Sequence, residues 1–423
     1  MNRKKIWRTR LAVLAACFAL LAAGCGPLSR PESASPPASG GEGAPGTDAA
    51  ETAEEFRGVW ISYIELNALL KGKTAGQAAQ ALDDVMENAA SYGMNTVIFH
   101  VRAMSDAYYK SALFPPADAA KALLEGGFDP LAYAVEAAHR QGLKIHAWVN
   151  PYRIGAKKEN AGCADIFSVD SGGTPYYYYN PASEEAQSLI LQGVEEIVDG
   201  YAVDGVQFDD YFYPADTTAI PPDSPAEFEE PAYEAYTAGG GSLAVADWRR
   251  AQVDVLVAGA YRKAHAREGC VFGISPDANV SKNYTTLYAD IAGWIACPGY
   301  VDYICPQIYF GFENSSAPFD QAVADWAAYS RHDSVQLYVG LGIYKTGMSP
   351  DAYAGQGRQE WAEHSDVMKR SVECLRGQPE VDGMIFYSYS SFTAQTRSPA
   401  AGQTYDPEIG QKEVENLLPL LRQ

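Results

Sequence analysis

Cysteine is scarce in this chain of 423 residues: there are seven, and only Cys163, Cys270, Cys297, Cys305 and Cys374 lie beyond Cys25. An odd remainder without CxxC spacing excludes a disulfide framework or a structural zinc site as the basis of the fold. Histidines number six and form no HxH or HExxH pair, so inward-facing histidines are expected to hydrogen-bond in place, and no metal or other cofactor is expected. A glycine-rich phosphate loop, a GxSxG elbow and a recognisable Cys-His pairing are also missing, which removes the usual signs of nucleotide binding and acyl transfer. No internal repeat is present. Basic residues are in deficit, 32 against 53 acidic, for a formal charge of −21. Such a surface repels nucleic acid and anionic lipid headgroups, and beyond that it serves solubility.

One long apolar run exists, Leu11 to Ala23, and it is too short for an ordinary membrane span. Arg3, Lys4, Lys5, Arg8 and Arg10 precede it, the layout of an export signal. The run ends in Leu21-Ala22-Ala23-Gly24-Cys25, which resembles a bacterial lipobox with Ala22 where leucine is usual. Residues 1–24 are therefore expected to be a signal peptide, with Cys25 lipidated and the chain held at the cell membrane facing the wall. Removing those residues leaves 27 basic against 53 acidic side chains, a charge of −26. Residues 25–53 are rich in Pro, Ser, Gly and Ala and hold no aromatic residue before Phe56. They read as a tether with a reach of roughly 30 Å.

From residue 54 to 423, short apolar runs alternate with amphipathic helical stretches, the pattern of a parallel sheet with crossover helices. Eight strands are expected: Gly58–Tyr63, Thr96–Arg102, Lys144–Pro151, Asp204–Asp210, Val271–Asp277, Val301–Phe310, Gln336–Tyr344 and Gly383–Ser390. Helices such as Gly76–Tyr92 and Pro130–Gln141 fall between them, the second opened by Asp129 and closed by Gly142. Eight such units in one domain imply a (β/α)8 TIM barrel. Its longest connection, Tyr211 to about Leu243, follows strand four on the face where barrel enzymes hold their active sites.

Side chains alternate across a strand, so the apolar set should face the helices and the other set the barrel axis. Val206 and Phe208 alternate with Gln207 and Asp209; Ile145, Ala147 and Val149 with His146, Trp148 and Asn150; Val97, Phe99 and Val101 with His100 and Arg102. Strands five and six add Asp277, Gln307 and Tyr309, and strands one, seven and eight add Trp60, Tyr344, Tyr387 and Tyr389. The expectation is a wet mouth lined by this set, because unpaired polar groups inside a plain scaffold cost several kcal/mol.

Carboxylates with amide donors and aromatic platforms fit cleavage of a glycosidic bond, which needs one acid for the leaving oxygen and one carboxylate at the oxocarbenium-like centre. Asp209 is the leading catalytic candidate. Asp277, inward on the next strand, is the expected second carboxylate, and Glu313 is its rival or a substrate contact. Asp210 has the opposite parity and is a rim residue or a further catalytic group. Trp60, Trp148, Tyr213, Tyr309, Tyr344 and Tyr389 are candidate sugar platforms, with the Tyr176–Tyr179 run a weaker one. His100, Arg102, His146, Asn150 and Gln307 are candidate polar contacts to substrate; Arg102 could instead pair with Asp209 or Asp106.

Four motifs carry a resemblance: Phe56-Arg57-Gly58-Val59-Trp60-Ile61-Ser62, Lys144 to Tyr152, Asp204 to Pro214, and Pro306-Gln307-Ile308-Tyr309. In that order and spacing they resemble the glycosyl-hydrolase-like family ten of bacterial envelope lipoproteins, over nearly all of Phe56 to Phe392. The resemblance implies a TIM-barrel glycosidase of the envelope, and some members look like enzymes that cut peptidoglycan strands already stripped of stem peptides. The partner expected is thus a wall polysaccharide. A carbohydrate-binding lipoprotein that does not cut is the alternative from another class, and a metal-dependent deacetylase is a third.

Overall fold

The computed structural model describes residues 54–215, 217–393 and 399–423. The expected signal peptide, the expected lipidation at Cys25 and the expected tether lie outside these residues. Glu54–Gln423 forms one compact unit. Eight strands close a wholly parallel barrel in chain order: β1 (Phe56–Ile61), β2 (Thr96–Arg102), β3 (Lys144–Val149), β4 (Gly205–Phe208), β5 (Val271–Ile274), β6 (Tyr303–Ile304), β7 (Gln336–Leu341) and β8 (Gly383–Phe386). β8 pairs back to β1 through Val59 opposite Phe386. All eight expected strands are present. Several end earlier than their polarity alternation suggests, since the alternation continues into the loops beyond the ladder, as at Val301–Phe310.

Helices shield the barrel. The helix expected at Gly76–Tyr92 runs Ala75–Ser91 and opens with a reciprocal capping box between Thr74 and Gln77. The next, Pro130–Arg140, is capped by Asp129, whose side chain accepts from Leu131 and Ala132 N–H. Val59, Val97, Phe99, Ile145, Ala147, Val206, Phe208 and Phe272 belong to the outer core shared with these helices. A second, smaller core of Trp60, Ile98, Trp148, Tyr303, Cys305, Tyr338 and Ile385 fills the barrel axis. Strand parity thus sorts most of the outer from the inner residues.

Two devices close the N-terminal end. Large rings on one strand face glycine on its neighbour: a Cβ on Gly205 would lie 2.7 Å from the His146 ring, a separation real side chains do not tolerate. In addition, the residue before each even-numbered strand is Asn or Asp and accepts a backbone N–H of the preceding strand. Asn95 bonds Arg57 at 2.9 Å, Asp204 bonds Ile145 at 2.8 Å, Asp302 bonds Phe272 at 2.6 Å and Asp382 bonds Leu337 at 2.8 Å. These four side chains satisfy strand donors that the staggered ladder leaves open.

Candidate active site

The loops after β3 and β4 build one wall of the C-terminal mouth. After β3 the chain forms a three-stranded antiparallel sheet of Arg153–Gly155, Ile166–Ser171 and Thr174–Tyr179. Its hairpin turns on Gly172 and Gly173, both at positive φ, the conformation that a tight two-residue hairpin requires. The loop after β4 includes a helix, Glu230–Ala238. A fully buried ion pair pins it: Arg249 meets Glu229 at 2.6 Å and also donates to Tyr288, Pro221 O and Ser224 O. Phe167 of the small sheet stacks flat on Phe228 of the loop, with ring centres 3.8 Å apart. Two connections that differ in sequence are locked into one surface.

Between them opens a cavity of about 490 Å³, lined in part by Arg153, Tyr176, Tyr178, Asp210, Tyr211 and Lys282. Asp209 does not line it but stands immediately before Asp210, which does. Asp209 is 3% exposed; its Oδ2 accepts from Trp148 Nε1 at 3.0 Å and its Oδ1 from Tyr211 N–H at 3.1 Å. Burial and the adjacent Asp210 push its pKa up to about 8, against the opposing pull of Tyr211, Trp148 and Arg153. Asp210 is also raised, by burial and by the charge of Asp277, while a hydrogen bond from Gln307 Nε2 at 3.2 Å favours its ionised form. Asp277 is ion-paired with Lys282 at 2.6 Å and accepts Asn279 N–H. Three carboxyl groups from the ends of two adjacent strands therefore feel one another. Two like charges in a dry site cannot both ionise freely, so the arrangement retains a proton at neutral pH, as general-acid chemistry requires.

Asp209 is held by a chain of contacts that begins just after β1, at the start of the helix Tyr63–Leu70. Tyr63 N–H donates to His100 Nδ1 at 3.3 Å, which leaves the proton on Nε2 to donate to Asn150 Oδ1 at 3.0 Å. Asn150 Nδ2 in turn donates to Ala103 O. Burial and the nearby Arg153 hold the His100 pKa well below its ordinary value, consistent with this neutral ring. It stacks on Trp148, with centres 3.6 Å apart and planes 11° from parallel, and Trp148 carries the hydrogen bond to Asp209. His100 and Asn150 were expected to touch substrate; their polar atoms face each other, and they position Asp209 through Trp148.

Trp148 also meets, edge-on at 6.5 Å, Tyr387 of an aromatic group. Tyr309 and Tyr387 stack with centres 5.8 Å apart, and Tyr344 meets both edge-on. With Gln307 these residues sit where the inward parity placed them, each half-buried, and their rings suit the apolar face of a sugar.

Five expected contacts lie elsewhere. His146 belongs to the N-terminal end, its Nδ1 3.0 Å from the Tyr303 hydroxyl. Parity placed it inside, but depth along the strand separates it from the mouth. Trp60 fills the barrel axis, donating to Gln207 at 2.6 Å. Arg102 leaves the axis because a bulge shifts register between His100 and Arg102; its guanidinium lies over the Phe114 ring at 4.3 Å. Tyr213, by contrast, does line the cavity, though it is buried and its hydroxyl donates to Glu229 at 2.8 Å. Tyr389 follows the end of β8 on a 3-10 turn and accepts from Asn88 on a covering helix. Glu313 pairs with His364 at 3.2 Å and forms no part of the carboxyl group cluster. Asp210, given the outward parity, faces the cavity because β4 ends at Phe208 and the chain turns beyond it.

Three site residues escaped the sequence reading, Arg153, Tyr211 and Lys282. Arg153 lies 4.3 Å above the Tyr211 ring. Its one sequence signal is position, four residues after the end of β3 on the catalytic face.

Residues 55–356 match the family described as glycosyl hydrolase-like 10. Glycosyl hydrolase DigH of Escherichia coli (strain K12) is 29% identical over 91% of this chain and 94% of its own. Glycosyl hydrolase YngK of Bacillus subtilis (strain 168) is 31% identical over 78% of this chain and 68% of its own. Among solved structures, the PgaB (BpsB) glycoside hydrolase domain from Bordetella bronchiseptica superimposes with a TM-score of 0.54 at 13% identity, covering 79% of this chain and 94% of that one. That likeness establishes the barrel fold. The chain belongs to the glycosyl hydrolase-like 10 family and is a TIM-barrel glycoside hydrolase.

Proposed function

We propose that the protein cleaves the glycan strands of peptidoglycan where stem peptides have been removed. Asp209 supplies the proton to the leaving glycosidic oxygen. Asp210, which lines the cavity, or its neighbour Asp277 stabilises the sugar cation or activates water. The observation that carries this reading is the meeting of Asp209, Asp210 and Asp277 at the C-terminal end of the barrel, with Tyr387 of the aromatic group against Trp148, the partner of Asp209. A lipid on Cys25 and the tether of residues 25–53 would hold the barrel at the membrane, within reach of wall polymer. The family resemblance and the export signal support the location and the substrate.

The test is product analysis. The chain from residue 54 onward is incubated with glycan strands stripped by an amidase and, in parallel, with intact sacculi, and soluble products are read by mass spectrometry. Short saccharides with an added water, more abundant from stripped strands, are the expected result. Absence of soluble saccharides from both substrates would refute it.

A further inference from the structure

We propose that Arg153 selects the glycan: its guanidinium binds a free carboxylate on the sugar beside the scissile bond, so that an anionic strand is preferred to one whose carboxyl is tied up as an amide. This deepens the hydrolase reading and rests on it.

Arg153 is firmly placed. It opens the small sheet after β3, in register with Tyr178. Its Nε donates to the Tyr176 hydroxyl at 2.8 Å, and its guanidinium carbon lies 4.3, 5.6 and 6.0 Å from the rings of Tyr211, Tyr176 and Tyr63. Three phenol rings and one hydrogen bond orient the fork. Among the described residues its two terminal nitrogens make no hydrogen bond and no ion pair. Arg57, Arg140, Arg249, Arg250, Arg370 and Arg376 each meet a carboxylate instead. An oriented guanidinium with donors to spare, at the wall of a cavity, is a receptor for a planar anion.

Charge narrows the ligand. The whole chain carries −21, which repels an anionic polymer at long range, so an anionic sugar needs a local cation to enter. Lys282 also lines the cavity but is engaged by Asp277 at 2.6 Å. Asp170 and Asp210 line it too and disfavour an anion on their side. The Arg153 end is therefore where a carboxylate is attracted. An amide at the same place is neutral and offers one acceptor oxygen where the carboxylate offers two, so it loses both the charge and the second bond to a group that has only donors. A sugar carboxyl that is free in a peptide-stripped strand and amide-linked in a peptide-bearing one is discriminated at this point.

The test compares stripped strands with free carboxylates against the same strands after coupling to methylamine, using the mature chain with its tether. The wild type is expected to favour the free acid by about tenfold in kcat/KM, carried by KM, as for a charge-assisted hydrogen bond. In Arg153→Gln that ratio falls toward one; in Arg153→Lys, which keeps the charge and loses the fork, it is partly restored. A wild type that treats the two substrates alike, or an unchanged ratio in Arg153→Gln, overturns the proposal. Should the wild type cut neither strand, the hydrolase reading fails, and the affinity ratio by calorimetry decides for Arg153: a wild-type preference abolished in Arg153→Gln upholds it, and equal binding sinks it.

Discussion

Aspartates at the two ends of this barrel do opposite work. At the N-terminal end Asp204, Asp302 and Asp382 each accept a strand N–H at 2.6 to 2.8 Å and close the ladder. At the C-terminal end Asp209, Asp210 and Asp277 are placed against one another, and Asp209 is buried at the expense of its ionised form. The same side chain is a staple where a backbone donor meets it and a reactive group where another carboxyl does. Stability and catalysis are thereby separated along one axis, as expected of a barrel whose chemistry resides in the loops after its strands.

Substitutions at each end should break that symmetry in opposite directions. The largest effect is expected from Asp209→Asn, which should lower kcat/KM about a thousandfold, the scale of a lost general acid, while raising thermal stability near neutral pH. The sign follows from the raised pKa. The stabilising contribution of Asp209 is fully present below the ordinary carboxylate range near 4 and is lost as pH climbs through about 8. Asparagine does not titrate, so melting curves of variant and wild type should diverge across that window in favour of the variant. A melting temperature that falls at pH 7 would mean that Asp209 is a staple too.

The same proton predicts the alkaline limb: kcat/KM of the wild type should fall by about tenfold per pH unit above about 8, seen in initial rates across pH. A flat profile to pH 10 would remove Asp209 as the acid. At the other end Asp382→Ala should cost about 1–3 kcal/mol in denaturant unfolding, because Leu337 N–H loses its buried partner, with kcat of the folded protein within about twofold of wild type. The smallest effect is expected for Trp148→Phe. It keeps a ring against His100 but deletes the hydrogen bond that favours the ionised Asp209, so the alkaline limb should move up by less than about one pH unit. A downward shift would contradict the direction assigned to that bond.

The barrel was legible because its signal is local. Alternation such as Val206-Gln207-Phe208-Asp209 names both the strand and its inner face, and it placed Gln307, Tyr309 and Tyr344 correctly. Parity carries no information on depth, so His146 was assigned to the mouth although it packs against Phe56 and Tyr303 at the N-terminal end, and Trp60 although it is buried in the barrel axis and only its edge meets Tyr387. It also fails at the first irregularity: the bulge before Arg102 turned that residue outward, and the end of β4 turned Asp210 inward. The Asn/Asp preceding each even strand was present in the sequence, as in Asp204-Gly205 and Asp382-Gly383, and the hairpin glycines 172 and 173 marked the small sheet. The Glu229–Arg249 pair and the seat of Arg153 depend on chain segments meeting in space, which no local pattern encodes.

The central claim is that these carboxyl groups add water across a glycosidic bond. The most direct measurement is digestion of peptide-stripped strands in heavy-oxygen water by wild type and Asp209→Asn, with products read by mass spectrometry. The account predicts one heavy oxygen at each new reducing end with the wild type, and no product with the variant under the same conditions. Unlabelled products that lack the added water, or equal yields from Asp209→Asn, would contradict it.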